Sequence, residues 1–314
     1  MSLLRRLPPA ARKTVWPWLK YWRTLPGNAQ GALWILLAAM VGATMAASIK
    51  YVGQRIPVFE ILFIRQLIVV AILSPVIAQK GLGMFKTDVL RLHVMRGAFA
   101  AVAMATGFTA LVHMPLAEAT AIGFAQTLFM TLLAIVFLGE RVGIRRWSVT
   151  IVGLVGVLVI IQPGTEAMNA YALLALVAAL FVAGVKIVLR KLSQVEPPTT
   201  IMIYQSCFVT VIMAGPAVYL WVMPTIEEFL AILAIGALMS ALQGAMIQGL
   251  KVAEAVAVAP VEYARLLFAT IIGIIFFAEI PTTSTLAGSL IIISSTLYTI
   301  RRNATLKERA KSED

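Results

Sequence analysis

Glu140 and Glu279 each close a long apolar run, in Phe137-Leu138-Gly139-Glu140 and in Phe277-Ala278-Glu279-Ile280, and they stand 139 residues apart. The same offset carries Gln66 onto Gln205, Gly97 onto Gly236 and Gln126 onto Arg265. The chain therefore reads as a sequence followed by its copy. Each copy holds five apolar segments, an odd number of crossings, so the second copy must enter a bilayer from the opposite side. Inverted repeats of this kind are the architecture of secondary transporters, whose polar sites lie near the bilayer midplane where the copies meet.

Composition supports a bilayer as the solvent. Of 314 residues, 61% are hydrophobic and 13% charged, with mean hydropathy +0.93; soluble domains average about 45–50% and about 25%. The excess runs along nearly the whole chain, so it is not an enlarged core. Windows of about 20 apolar residues mark ten spans at 30–49, 57–78, 93–112, 117–138, 147–163, 169–188, 199–222, 229–250, 255–278 and 283–300. The expected fold is an all-α integral membrane protein, with ten transmembrane helices as two inverted five-helix repeats over 30–163 and 169–300.

Outside the repeats, residues 1–29 form a basic, aromatic cytoplasmic segment with Trp16, Trp18, Tyr21 and Trp22 among its arginines and lysines. It lacks the continuous apolar core of a cleaved signal peptide, and it suits either an anionic membrane surface or a disordered tail. Residues 301–314 form a charged cytoplasmic tail. The single cysteine, Cys207, excludes an internal disulfide and a multi-cysteine metal site. Neither a metal nor a cofactor is expected.

Positive charge sets the orientation. With the N-terminus inside, the interior segments carry 20 lysines and arginines and the exterior loops only Lys50 and Arg55. That asymmetry places both termini in the cytoplasm, as in a bacterial inner (plasma) membrane protein. It also explains most of the net charge of +12 without nucleic acid. Four cations remain within the spans: Arg65, Arg96, Lys186 and Arg265.

An ionisable residue at depth costs about 2.5–3.5 kcal/mol and faces a cavity or a partner. Arg96 and Lys186 lie near the inner ends of their spans, where each is expected to snorkel to the headgroups. Glu60 and Glu118 open spans 2 and 4, where a carboxylate suits a helix N-terminus. Glu262 and Arg265 are different, roughly 10–15 Å inside the inner boundary at 1.5 Å per residue. Their i, i+3 spacing puts them on one face, and Pro260 before them favours a kink. Two readings stay open: a carboxylate for a proton or cation beside an arginine for an anion, or a static ion pair. Arg65, followed by Gln66, could hold an anionic group, or could pair with Glu60 or Glu118. Gln126, Tyr204, Gln205, Gln243 and Tyr263, with Trp34 and Gln248, complete a polar set that equally suits hydrogen bonds between helices.

These residues fall into a pattern. The first half contains Pro57-x-Phe59-Glu60-Ile61-Leu62-Phe63-x-Arg65, Ala117-Glu118-Ala119-Thr120-Ala121 and Phe137-Leu138-Gly139-Glu140-Arg141. The second contains Ala259-Pro260-x-Glu262-Tyr263-x-Arg265-Leu266-Leu267-Phe268, leading to Phe277-x-Glu279-x-Pro281. Over residues 30–300 the chain resembles the EamA type of the drug/metabolite transporter superfamily. Lys50-Tyr51-x-Gly53 and the stretches at Glu60–Arg65 and Glu262–Arg265 are similar to the S-adenosylmethionine uptake branch. The resemblance implies a central cavity ringed by spans 1–4 and 6–9, with spans 5 and 10 at the periphery. It also implies movement of a small polar or amphiphilic metabolite, by exchange or cation coupling: S-adenosylmethionine, an amino acid, a nucleoside or a vitamin such as riboflavin.

The expected function is thus a secondary transporter working by alternating access. Its substrate-binding candidates are Arg65, Gln66, Gln126, Tyr204, Gln205, Gln243, Glu262, Tyr263 and Arg265, with Glu262 the proton-coupling candidate. The expected partners are the metabolite and the lipid bilayer, with pairing of two copies left open. The alternatives are a channel or a non-transporting membrane receptor, and then a membrane-embedded enzyme. A hydrolase or metalloenzyme needs nucleophile–base or ligand clusters. The chain has only His93 and His113, one cysteine, and Asp88 and Asp314 as its aspartates, so no enzyme is expected.

Overall fold

The structure, a computed structural model, describes residues 25–81, 86–138, 144–162, 169–253 and 259–294. Glu140, the first landmark of the repeat, lies outside the described residues, as do segments 1–24 and 301–314 and the side chains of Gln243 and Pro260. No strand occurs among the described residues. The helices are α1 (Gly27–Val52), α2 (Val58–Lys80), α3 (Leu90–His113), α4 (Leu116–Gly123), α5 (Gln126–Leu138) and α6 (Ile144–Ile161). After them come α7 (Ala170–Leu192), α8 (Pro198–Tyr219), α9 (Ile226–Val252), a 3-10 turn (Ala259–Tyr263), α10 (Ala264–Phe277) and α11 (Thr283–Ser294).

Helix is what lipid demands of an apolar chain, because it pairs backbone groups within the segment. Six stretches are long and apolar enough to cross a membrane: Gly27–Val52, Leu90–His113, Leu116–Phe137, Ala170–Leu192, Thr199–Tyr219 and Ile226–Gly249. Each of the ten expected spans contains helix. The outer surface is apolar, with Val136 74%, Val211 73% and Phe276 75% exposed. Contiguous apolar surface of this kind suits lipid rather than water.

Span 4 departs from the single helix expected over 117–138. It is interrupted after Gly123, where Phe124 N–H donates to Ala121 O (3.1 Å) and Ala125 N–H to Ile122 O (2.9 Å). Span 9 has a matching irregularity, a 3-10 turn that becomes α-helical at Ala264. The 139-residue offset carries Phe124-Ala125 onto Tyr263-Ala264, so the two breaks coincide.

Packing follows the same exchange of halves. α1 lies along α9 and α10, while α7, which occupies the position of α1 in the second half, lies along α3 and along α4 and α5. α2 packs on α8, and α4 on α10. Gly97 and Gly236 make equivalent close approaches. A Cβ on Gly97 would stand 2.6 Å from Phe208 Cβ on α8, and one on Gly236 would stand 3.3 Å from Ile68 Cγ2 on α2. Apolar residues fill the joints: Met45, Ile49, Ile61 and Ile232 tie α1, α2 and α9 together, and Ala121, Ala175 and Leu266 tie α4, α7 and α10.

At one end of the bundle, polar contacts cross between the halves. Lys50 is 5% exposed at the end of α1. Its Nζ donates to Met114 O (2.6 Å) and to Glu279 Oε1. The other carboxylate oxygen, Oε2, accepts the backbone N–H of Leu116 (2.8 Å) and so caps α4 from another helix. Ala278, at φ 52°, makes the left-handed turn that ends α10 just before Glu279. Nearby, buried Glu60 accepts Val222 N–H (2.9 Å), Glu118 accepts the Thr285 hydroxyl (3.0 Å), and exposed Arg55 pairs with Glu228. The hydrogen bond from Arg55 to Glu228 raises the arginine's pKa. Sequence reading places Lys50 among loop cations; its burial and its two acceptors make it part of the packing instead.

Two outcomes follow from this packing. Gly97→Ala should destabilise by about 1–3 kcal/mol through overpacking against Phe208 Cβ, whereas Gly236→Ala, whose Cβ would stand 3.3 Å from the Ile68 Cγ2 methyl, should lower Tm less. Glu279→Gln should lower Tm strongly, because breaking a buried pair costs roughly 3–5 kcal/mol. The double variant Lys50→Met/Glu279→Leu should recover much of that loss.

Candidate functional site

The most concentrated polar group lies at the break in span 9. Glu262 ends the 3-10 turn region and Arg265 begins α10. The guanidinium reaches toward α1, where a Cβ on Gly42 would lie 3.6 Å from Arg265 Nε. That Nε is buried and has no hydrogen-bond partner. Among the described residues the ion pairs are Lys50–Glu279, Arg55–Glu228 and the His93–Glu196 contact. The static Glu262–Arg265 pair is not one of them, because the arginine extends toward α1.

Lys186, on α7, is exposed, in keeping with the expected reach to the headgroups. Arg96 departs from that expectation: it is 8% exposed, and its guanidinium donates to Ile201 O on α8 (3.1 Å). Packing between α3 and α8 satisfies part of Arg96, and its Nε stays unpartnered.

Tyr263 stacks obliquely on Phe124, with ring centroids 4.8 Å apart at 59°. These two residues are related by the 139-residue offset. Equivalent positions of the two halves thus touch at the two helix breaks. Gln126, the counterpart of Arg265, is half-buried at the start of α5, just past the break. Gly123, the counterpart of Glu262, has open space beside it: a Cβ there would meet nothing within 4 Å.

Arg65 and Gln66 form a second group on α2. Both are 3% exposed. The Arg65 guanidinium donates to Gln66 Oε1 (3.1 Å) and toward Met104 Sδ (3.6 Å), and it sits 5.5 Å from the centre of the Phe108 ring. Its Nε has no partner. Neither Glu60 nor Glu118 pairs with it, since each is engaged at the Lys50 end. A guanidinium over an aromatic face is stabilised by about 2 kcal/mol when desolvated, which offsets only part of its burial cost.

The other candidates are scattered. Tyr204 stacks on His93, with centroids 4.2 Å apart, and belongs to the α3–α8 contact with Phe208. Gln205 is half-buried on the same helix, Trp34 is half-buried on α1, and Gln248 is exposed on α9. Sequence reasoning missed Phe124 as a member of the site, although the offset that pairs it with Tyr263 put it within reach.

Comparison with known proteins gives a consistent result. The EamA-like transporter family matches this chain over residues 29–162 and again over 169–301. The S-adenosylmethionine uptake transporter of Rickettsia bellii is 30% identical over 270 residues, 86% of this chain and 93% of that protein. A riboflavin transporter of Brucella anthropi is 29% identical, covering 86% of this chain and 98% of its own. A pseudopaline exporter of Pseudomonas aeruginosa is 29% identical, covering 84% and 93%. A solved crystal structure shares the fold at TM-score 0.58 and 18% identity, covering 85% of this chain and 96% of that one.

The Arg65 geometry has a direct test. Arg65→Met should leave the Tm of the purified protein unchanged or raised, since it removes a buried cation that no carboxylate neutralises. A marked fall in Tm would instead assign Arg65 a packing role through Gln66, Met104 and Phe108.

Proposed function

This chain belongs to the EamA-like transporter family, a family of metabolite transporters, and we propose that it is a secondary transporter working by alternating access between two inverted five-helix repeats, 30–163 and 169–300. The contact of Phe124 with Tyr263 carries this reading. Two residues 139 positions apart meet at the breaks of spans 4 and 9, as a pseudo-two-fold axis between the halves requires. Broken helices at depth line cavities and free backbone groups for a ligand. The exchange-related packing of α1 on α9 and of α7 on α3 supports the same axis. Ten crossings follow from it, with both termini in the cytoplasm of a bacterial inner membrane by the charge asymmetry of the loops.

The substrate site lies between the halves. Glu262, Tyr263 and Arg265 from span 9 and Gln126 from span 4 form one side. Arg65 and Gln66, with Tyr204 and Gln205 as their counterparts under the 139-residue offset, are assigned to the cavity by the same symmetry. Glu262 is the coupling residue, for which a proton and the substrate compete. Relatives include uptake and export proteins for S-adenosylmethionine, riboflavin and pseudopaline. Their variety suits a cavity shared by amphiphilic metabolites and a cycle that runs in either direction.

Proteoliposomes loaded with S-adenosylmethionine or riboflavin test the mechanism. Wild type should show saturable counterflow, and Glu262→Gln should keep counterflow while losing uptake driven by a proton gradient. Driven uptake by Glu262→Gln at the wild-type rate would remove Glu262 from the coupling step.

A further inference from the structure

We infer that the Lys50-Tyr51-x-Gly53 motif at the end of α1, together with Glu279, is the gate that closes one entrance to the transport path. The inference rests on the transport reading above and gives its cycle a moving part.

The starting observation is that the helices are joined in two different ways. α1 is fixed to α9 by direct backbone approach. A Cβ on Gly27 would stand 2.5 Å from Val252 O, and one on Gly249 would stand 3.2 Å from Gly31 O. α7 is held to α3 as closely: a Cβ on Gly107 would lie 3.1 Å from Ala178 Cβ, and one on Gly184 would lie 2.8 Å from Phe99 Cδ2. Surfaces packed this tightly transmit displacement rather than absorb it. α1 therefore travels with α9, and α7 with α3.

Between these two bodies the joint at the Lys50 end is polar. Lys50 Nζ donates to Met114 O, just past α3 (2.6 Å), and Gln54 Nε2 donates to Val112 O within α3 (3.2 Å). Gly53 lets the two segments meet, since a Cβ there would overlap Val112 Cγ2. Glu279 completes the joint by accepting from Lys50 and from Leu116 N–H (2.8 Å). One turn deeper along α1 the contact becomes apolar, with Ala46, Leu116 and Ala269 buried together.

That chemistry suits a joint that opens. The faces of a gate meet each other in one state and water in the other. Parting an apolar joint exposes surface at a cost that grows with its area. An ammonium, a carboxylate and backbone groups instead exchange their mutual contacts for hydrogen bonds to incoming water, at small net cost. The loop charges place this end outside, so the gate is the outer one.

Labelling and flux in proteoliposomes test the gate on the full chain, with Ala46→Cys in a Cys207→Ser background reporting access to the joint. A membrane-impermeant maleimide should label this protein slowly, and from the Lys50 side. Glu279→Gln should raise the rate about tenfold to 100-fold, the loss of one charge-assisted contact. Gly53→Ala, which wedges Val112 away, should raise it with the ion pair intact. Lys50→Met/Glu279→Leu separates a gate from static packing. It should recover Tm yet suppress labelling and slow saturable counterflow of S-adenosylmethionine or riboflavin by about tenfold or more, because its apolar faces resist water. The inference is overturned if that double variant carries flux at the wild-type rate, if Glu279→Gln and Gly53→Ala leave labelling unchanged, or if label arrives only from the opposite side. Absence of wild-type counterflow with both probes would count against the transport reading itself, and the labelling rates alone then decide whether this end opens.

Discussion

A half-buried carboxylate shared by three helices fixes one end of this bundle. Glu279, just past α10, binds Lys50 of α1 and the first N–H of α4, while Lys50 also donates to the carbonyl of Met114, two residues before that helix. In lipid a free helix N-terminus or a lone ammonium has no water to turn to. Each of these groups therefore needs the others, and the ends of α1, α4 and α10 are held in one place. Glu60 does similar work, accepting the N–H of Val222 ahead of α9. Because the Glu279 and Glu60 contacts join one half of the chain to the other, this end couples the halves rather than merely closing each.

Away from that end the two halves agree in shape and differ in charge. The breaks in spans 4 and 9, the close approaches at Gly97 and Gly236, and the reciprocal packing of α1 and α7 all obey one exchange. The polar residues do not. Offset by 139, Arg65 meets Tyr204, Glu262 meets Gly123, Lys186 meets Ala47 and Lys50 meets Leu189. Under the transport reading proposed above, a symmetric frame permits two packings of similar energy, and an asymmetric set of charges orients the substrate between them.

The legibility of the site varied with the kind of signal. Glu262 and Arg265 stood out because ionisable residues at depth are rare, and the structure keeps them together at a helix break. Their relation did not follow from spacing. An i, i+3 pair on one face predicts contact, yet Arg265 extends to α1. Arg96 was misjudged because distance from a span end decides snorkelling only when the side chain faces lipid, and its guanidinium faces α8.

Taken alone, the sequence determined the membrane as solvent, the helical class, the duplication and the residues too polar to face lipid, because composition and period act locally along the chain. It did not determine which of those residues meet. That required the tertiary structure, since Glu279 and Lys50 are 229 positions apart and come from different halves. The 139-residue offset gave the equivalence of Phe124 and Tyr263; only packing across the interface decided that their rings touch. A repeat specifies which positions correspond, while contact between them depends on how closely the small residues of α1, α3, α7 and α9 let the halves approach.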